Sequence, residues 1–525
     1  MPLMPYSGEW TRREARHLVR RTLFGARQED ISRALSLGLT ASVDTLLSPR
    51  GTPPEPVAYV RAGGIHEGNR WSNAAYQAVE DSTLFAFFQT WWISLCLNQE
   101  FSIREKLTLF HANHFATAYS SVNDARYMYR QNATLRAGCL GSVKDLATSM
   151  VTDLAMLRYL NGNVNTVSSP NENFARELLE LFTIGKGPEA GHGDYTTYTE
   201  DDVKQFARVF TGWIDDDTML KARFLQKEHD SGTKTLSHRF ANRTITGGTT
   251  ESEARLEVES AMNIIFDQET TAQAIVRRLY RWFVDYVITD ETESTVIIPL
   301  AQTLRERNYH VEPVLRELLT SQHFFDERLR GWMITTPFDH VLGLVRLFRP
   351  ADLFPPDSRH THWAYRTLRR SMATMGFDVF NPPNVAGLQA YHQAPAFHQM
   401  WVNSDTLQKR VKFSNDLISD GYMLDEAYEP SRIDVFAVTS WLTEPRNPHA
   451  VVVDVVAQLL TIELDEAQIT ALTALLSADG NTETWSRNWD AWLAEPNTET
   501  TRAPIELRLR ALLKAVTSMA EYHVC

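Results

Sequence analysis

Ser169-Pro170-Asn171-Glu172-Asn173-Phe174-Ala175-Arg176-Glu177-Leu178-Leu179-Glu180-Leu181-Phe182-Thr183-Ile184-Gly185 sets charged and amide side chains into a helix that is otherwise strongly apolar. Ser169 with Glu172 three residues on predicts a capping box, Pro170 takes the favoured first helical position, and Gly185 supplies the stop. Phe174, Leu178, Leu181 and Phe182, flanked by Ala175 and Leu179, cover a wide arc of the helix. Asn173, Arg176, Glu177 and Glu180 keep only a narrow face, set against other protein. Charges held there need partners, because an unpaired buried charge is strongly destabilising.

Outward from this segment, helical spacing dominates. Residues 82–97, 102–116, 142–160 and 200–211 read as helices, the second opened by a Ser102/Glu105 capping box and the last by Thr199 and Asp202. Helical patterns return over 254–284, 295–307, 311–321 and 336–348, and again at Val451–Leu460, Leu464–Leu476 and Ile505–Met519. Two stretches break the trend. Phe224-Leu225 and Lys234-Thr235-Leu236 flank Asp230-Ser231-Gly232, which predicts a small hairpin or structured turn, and the Pro/Gly-rich stretch 376–398 predicts a long irregular loop. The expected fold is therefore mainly α: a large multi-helix globular domain over residues 1–425 with a small β-hairpin insertion, and a C-terminal helical extension over 426–525.

Composition narrows the function classes. With 525 residues, 43% hydrophobic, the chain can bury a large core, and its net charge of −13 argues against nonspecific binding to nucleic acid or anionic lipid. Cys96, Cys139 and Cys525 show no CxxC spacing, so neither a disulfide framework nor a zinc ribbon is implied, and a reducing, cytoplasmic compartment is expected. Arg12-Arg13 and Arg20-Arg21 are not followed by the apolar run of an export signal. Ala15, Leu18, Val19 and Leu23 instead recur at helical spacing opposite Arg12, Arg13, Arg16 and Arg20, with Gly25 ending the pattern. No apolar run is long enough to span a membrane.

Several blocks together resemble the DUF1800 family of uncharacterised bacterial proteins: His17-Leu18-Val19-Arg20-Arg21-Thr22-Leu23-Phe24-Gly25, Asn113-His114-Phe115, the Asn171–Gly185 block, Tyr198-Thr199-Glu200-Asp201-Asp202-Val203, and His229-Asp230 with Lys234. The resemblance runs over roughly residues 10–425 in the family's order. It departs where the family commonly reads Trp-His-Asn-His-Phe: here His111-Ala112-Asn113-His114-Phe115 turns a His-x-His pair into His-x-x-His. The family's members are often exported, and it implies little about activity.

The chemistry expected from the residues centres on His111 and His114, i, i+3 neighbours turned inward beside Ile103, Leu107 and Phe110. Two imidazoles one turn apart can share a divalent or transition metal ion completed by a carboxylate, for which Glu177 is the candidate. The bland alternative is that each histidine hydrogen-bonds a buried carbonyl or carboxylate. Arg176 and Glu180 could form an i, i+4 pair or hold a substrate, and His229 with Asp230 could act as an acid/base pair on a loop. His360, His362, His392 and His398 fall in segments expected at the surface. Two function classes follow: a metal-dependent enzyme that activates water or oxygen for a small-molecule or peptide substrate in a biosynthetic pathway, or a noncatalytic helical scaffold or binding protein whose polar residues form a buried ion network.

Overall fold

A computed structural model of the chain describes residues 3–348, 358–423, 430–477 and 481–525. Helices build almost all of it, with three two-stranded antiparallel ribbons: 189–191 with 194–195, 213–216 with 221–224, and 234–235 with 244–245. The boundary expected at 425–426 lies outside the described residues. Helices on both sides of it, with Leu18 and Phe88 from one and Val455 and Leu513 from the other, contribute to one continuous apolar core. No helix among the described residues is long and apolar enough to cross a membrane.

Local chemistry sets the helix limits, though not always through the residues expected. The signature helix spans Glu172–Glu177, and its cap is Asn171, whose Oδ1 accepts from the Asn173 amide at 2.9 Å. The Ser169/Glu172 box does not form. Ser169 closes a turn onto Thr166 at 3.1 Å, and Glu172 reaches forward to Arg176 at 3.0 Å. Asn caps as well as Ser does, so the chain enters its helix two residues later. The helix then widens into a π-turn over Leu178–Phe182 before Gly185, at φ +80°, reverses the chain as expected.

A second box fails for a different reason. The helix Arg104–His114 starts behind Ile103 without a side-chain cap, because Glu105 turns into the core to accept Arg136 at 2.9 Å and the Trp92 indole at 3.0 Å. Thr199 and Asp202 do form theirs, with Thr199 Oγ1 accepting the Asp202 amide at 3.2 Å and the Asp202 carboxylate the Thr199 amide at 2.8 Å. The hairpin expected across Asp230-Ser231-Gly232 is also corrected. Each flanking strand pairs outward, Phe224 with Trp213 and Lys234 with Ile245, while Asp230 makes the predicted turn by accepting the Gly232 amide at 2.9 Å.

The helix Arg12–Thr22 packs Ala15, Leu18 and Val19 into the core. Its arginine face meets the C-terminal helices: Arg12 donates to Gln458 at 2.8 Å and Arg20 to Thr461 at 2.7 Å. At its end Gly25 adopts φ +80° against Gly343 of the helix Pro337–Phe348, where a Cβ would lie 2.6 Å from the Gly343 Cα. Only glycine allows that approach.

Candidate functional site

His111 and His114 lie on the inner face of the helix Arg104–His114, both buried. Each uses Nε2 on a different carbonyl, His111 on Cys139 at 3.0 Å and His114 on Phe182 at 3.0 Å. The second bond is available because the π-turn leaves the Phe182 carbonyl outside the regular helical ladder. The Nδ1 of His114 faces the Arg278 guanidinium at 3.3 Å. Burial lowers the His111 pKa to about 4, and burial together with the Arg278 charge holds His114 well below the usual imidazole range. Both rings are neutral near pH 7. Among the described residues no three His, Cys, Asp or Glu side chains converge as a metal-binding group.

The polar face of the signature helix divides among separate partners. Arg176 grips Glu200 with two hydrogen bonds, 2.9 and 2.8 Å, and Glu172 at 3.0 Å, tying its helix to Glu200–Val209. Glu180 accepts the Tyr198 hydroxyl at 3.3 Å and lies 3.8 Å from Lys186. Glu177 is half-buried, and burial followed by the neighbouring Glu180 charge raises its carboxyl pKa. His114 meets this segment through the Phe182 carbonyl. Among the described residues no hydrogen bond or ion pair joins it to Arg176, Glu177 or Glu180.

His229 and Asp230 point to different neighbours. The His229 ring is buried, with Nδ1 2.8 Å from the Thr211 carbonyl and Nε2 3.1 Å from Glu257. Glu257 also pairs with Lys234, and all three side chains are almost wholly sealed from solvent. Asp230 instead receives Arg208 at 2.6 and 3.1 Å. Segment 223–240 therefore docks on the helices Glu200–Val209 and Glu251–Phe266. Both ring nitrogens of His229 are engaged.

A cavity of ≈ 100 Å³ lies where six parts of the chain meet: the first helix with the turn after it, the helices Arg104–His114 and Glu269–Phe283, the helix Pro337–Phe348 with the residues leading into it, the 389–401 segment and the C-terminal region. Its aromatic wall is Trp282 stacked on Tyr391 at 4.1 Å, with His398 edge-on to Tyr391 at 5.3 Å. Arg20, Arg21 and Lys106 line it, and Asp339 is its acidic side chain. Asp339 is bound by Lys106 and accepts Thr336 at 2.9 Å. Arg21 donates to Met333 Sδ at 2.7 Å and to the backbone oxygens of Leu329 and Cys525 at 3.3 and 2.9 Å. Burial and then the Arg21 charge lower the His398 pKa to about 4, so this ring is neutral as well. In the larger groove beside Arg305, ≈ 860 Å³, Arg305 pairs with Glu269 at 3.0 Å and Asp267 with Arg243 at 2.6 Å.

Sequence reading missed this cavity. It placed His362 and His398 at the surface, whereas both are buried: His362 sits on the helix Ser358–Thr374, stacks on Tyr59 at 5.0 Å and bonds Thr90 at 2.8 Å. Imidazole, with an apolar body and two polar atoms, packs inside wherever such partners exist. Arg21 was the available signal, since an arginine on the core side of a helix needs a reason.

No curated protein and no solved structure matches the chain. The model of the family described as protein of unknown function (DUF1800) matches residues 17–524, across the core, the cavity and the C-terminal helices, and the chain belongs to that family.

Proposed function

We propose that this protein is a helical binding protein that takes a small molecule into the cavity beside Trp282 and Tyr391. The observation that carries the reading is the cavity itself. Protein interiors pack with few voids larger than a water molecule, and this one combines an aromatic wall, polar groups and residues from distant segments. Arg176 and Glu180 of the signature helix and the residues of the His229 network, matched to protein partners, support the scaffold half of the reading. The unpaired thiols Cys96, Cys139 and Cys525 favour a reducing compartment.

Native mass spectrometry tests it. A small molecule released from the wild-type protein and missing from Leu344→Phe, which fills the cavity from its wall, is the expected result. Identical small-molecule content in both proteins overturns the reading.

The metal-dependent enzyme remains a second reading, favoured by one observation. Glu177 carries a raised pKa beside a second carboxylate, a property that acid/base groups share. Elemental analysis of the purified protein separates the two. Binding without metal predicts no stoichiometric transition metal; one metal per chain, lost in His114→Ala, would establish the enzyme reading.

A further inference from the structure

We infer that the cavity selects a short alkyl carboxylate, its oxygens held by Arg21 and Trp282 and its alkyl end by Leu344 and Leu347. This rests on the reading of the cavity as a ligand site and adds the chemical class of the ligand.

Two donors of the lining residues lack a protein acceptor. Arg21 and Trp282 are 4% and 6% exposed, yet Arg21 Nε and Trp282 Nε1 have no hydrogen-bond partner among the described residues. Buried donors in native proteins are nearly always satisfied, and leaving one bare is costly. No side-chain carboxylate among the described residues pairs with Arg20 or Arg21, and Asp339 is already engaged by Lys106 and Thr336. An acceptor-rich anion is what such a lining lacks. With its Nη groups engaged, Arg21 offers one free N–H at Nε, which with the indole N–H suits the two oxygens of a carboxylate, since charge-assisted bonds to arginine are the strong ones.

Size and polarity fix the rest. A dry cavity of about 150 Å³ holds benzene, so ≈ 100 Å³ suits roughly four or five heavy atoms. Leu344 and Leu347 line the same space, and an inorganic oxyanion would leave that side against its charge. An alkyl tail covers it.

Isothermal titration calorimetry of the full chain near neutral pH decides, with propionate, its neutral isostere propionamide, and inorganic phosphate as probes. Propionate is expected to bind roughly tenfold or more tightly than propionamide, because only the anion gains charge-assisted bonds. Equal affinity for the two overturns the carboxylate class while leaving the cavity a ligand site. Phosphate binding more tightly than propionate overturns the alkyl assignment. No binding by any of the three overturns the inference, and the mass-spectrometric comparison with Leu344→Phe then reports separately on the cavity. Trp282→Phe keeps the aromatic wall and removes one donor, so propionate should weaken several-fold; unchanged affinity removes Trp282 from the site. Arg21→Lys keeps the charge and loses the Nε–H, with a larger loss expected, and Trp282→Phe still decides if that variant does not fold.

Discussion

The signature helix and the cavity beside Trp282 use the same kinds of side chain to opposite ends. Around Glu172–Phe182 and in the His229 network, nearly every charged group meets another: Arg176 with Glu200, Arg208 with Asp230, Lys234 with Glu257. Around the cavity, Arg21 Nε and Trp282 Nε1 meet nothing among the described residues. Density of polar residues along a sequence therefore marks where protein segments are clamped together. Unmatched donors that also border a cavity mark where something else can be held.

The sharpest way to break this contrast is at Glu257. If the Lys234, His229 and Glu257 group is a clamp, Glu257→Gln leaves a sealed ammonium without its anion and should cost about 3–5 kcal/mol, read by urea unfolding. Adding Lys234→Met to that variant should restore part of the loss. A cost below about 1 kcal/mol would mean the network tolerates an unmatched charge, and the distinction between the regions would fail.

A pH titration gives the next largest effect. His111, His362, His398 and His523 titrate at about 4 in the folded chain, against 6.5 for a free imidazole, chiefly because burial disfavours the charged ring. Between those values the unfolded chain binds more protons, so stability is whole above about pH 6.5 and falls as pH drops toward 4. Melting temperature should decline across that window. His111→Gln, whose amide can still donate to the Cys139 carbonyl, should flatten the decline. An unchanged slope would show that the His111 ring is not held neutral.

The smallest test concerns the signature helix's first turn. Asn171→Ala should cost about 1 kcal/mol by removing the cap, while Ser169→Ala should change stability by no more than about 0.5 kcal/mol. The reverse order in thermal melts would return the cap to Ser169.

These outcomes also measure what the sequence could tell. Helix content, the Gly185 stop, the Thr199 cap and the Asp230 turn were legible, because each depends on residues a few positions apart. The Ser169 and Ser102 boxes were misread for tertiary reasons: Asn171 competes for the first, and Glu105 of the second is drawn to Arg136. The cavity was out of reach. Its Arg21, Trp282, Tyr391 and Leu459 come from segments far apart in the sequence, and nothing local says that a particular guanidinium nitrogen will lack an acceptor.

The contact between the first helix and the last quarter of the chain sets the order in which the molecule can be finished. Arg12 waits for Gln458, 446 residues later, and at about 5–20 residues per second a ribosome needs roughly 20–90 s to deliver it. Through that interval the arginine face of the earliest helix and the apolar surface around Leu18 lack their final cover. The cavity, lined in part by Gln458, Leu459 and Tyr522, closes only once those residues have been made.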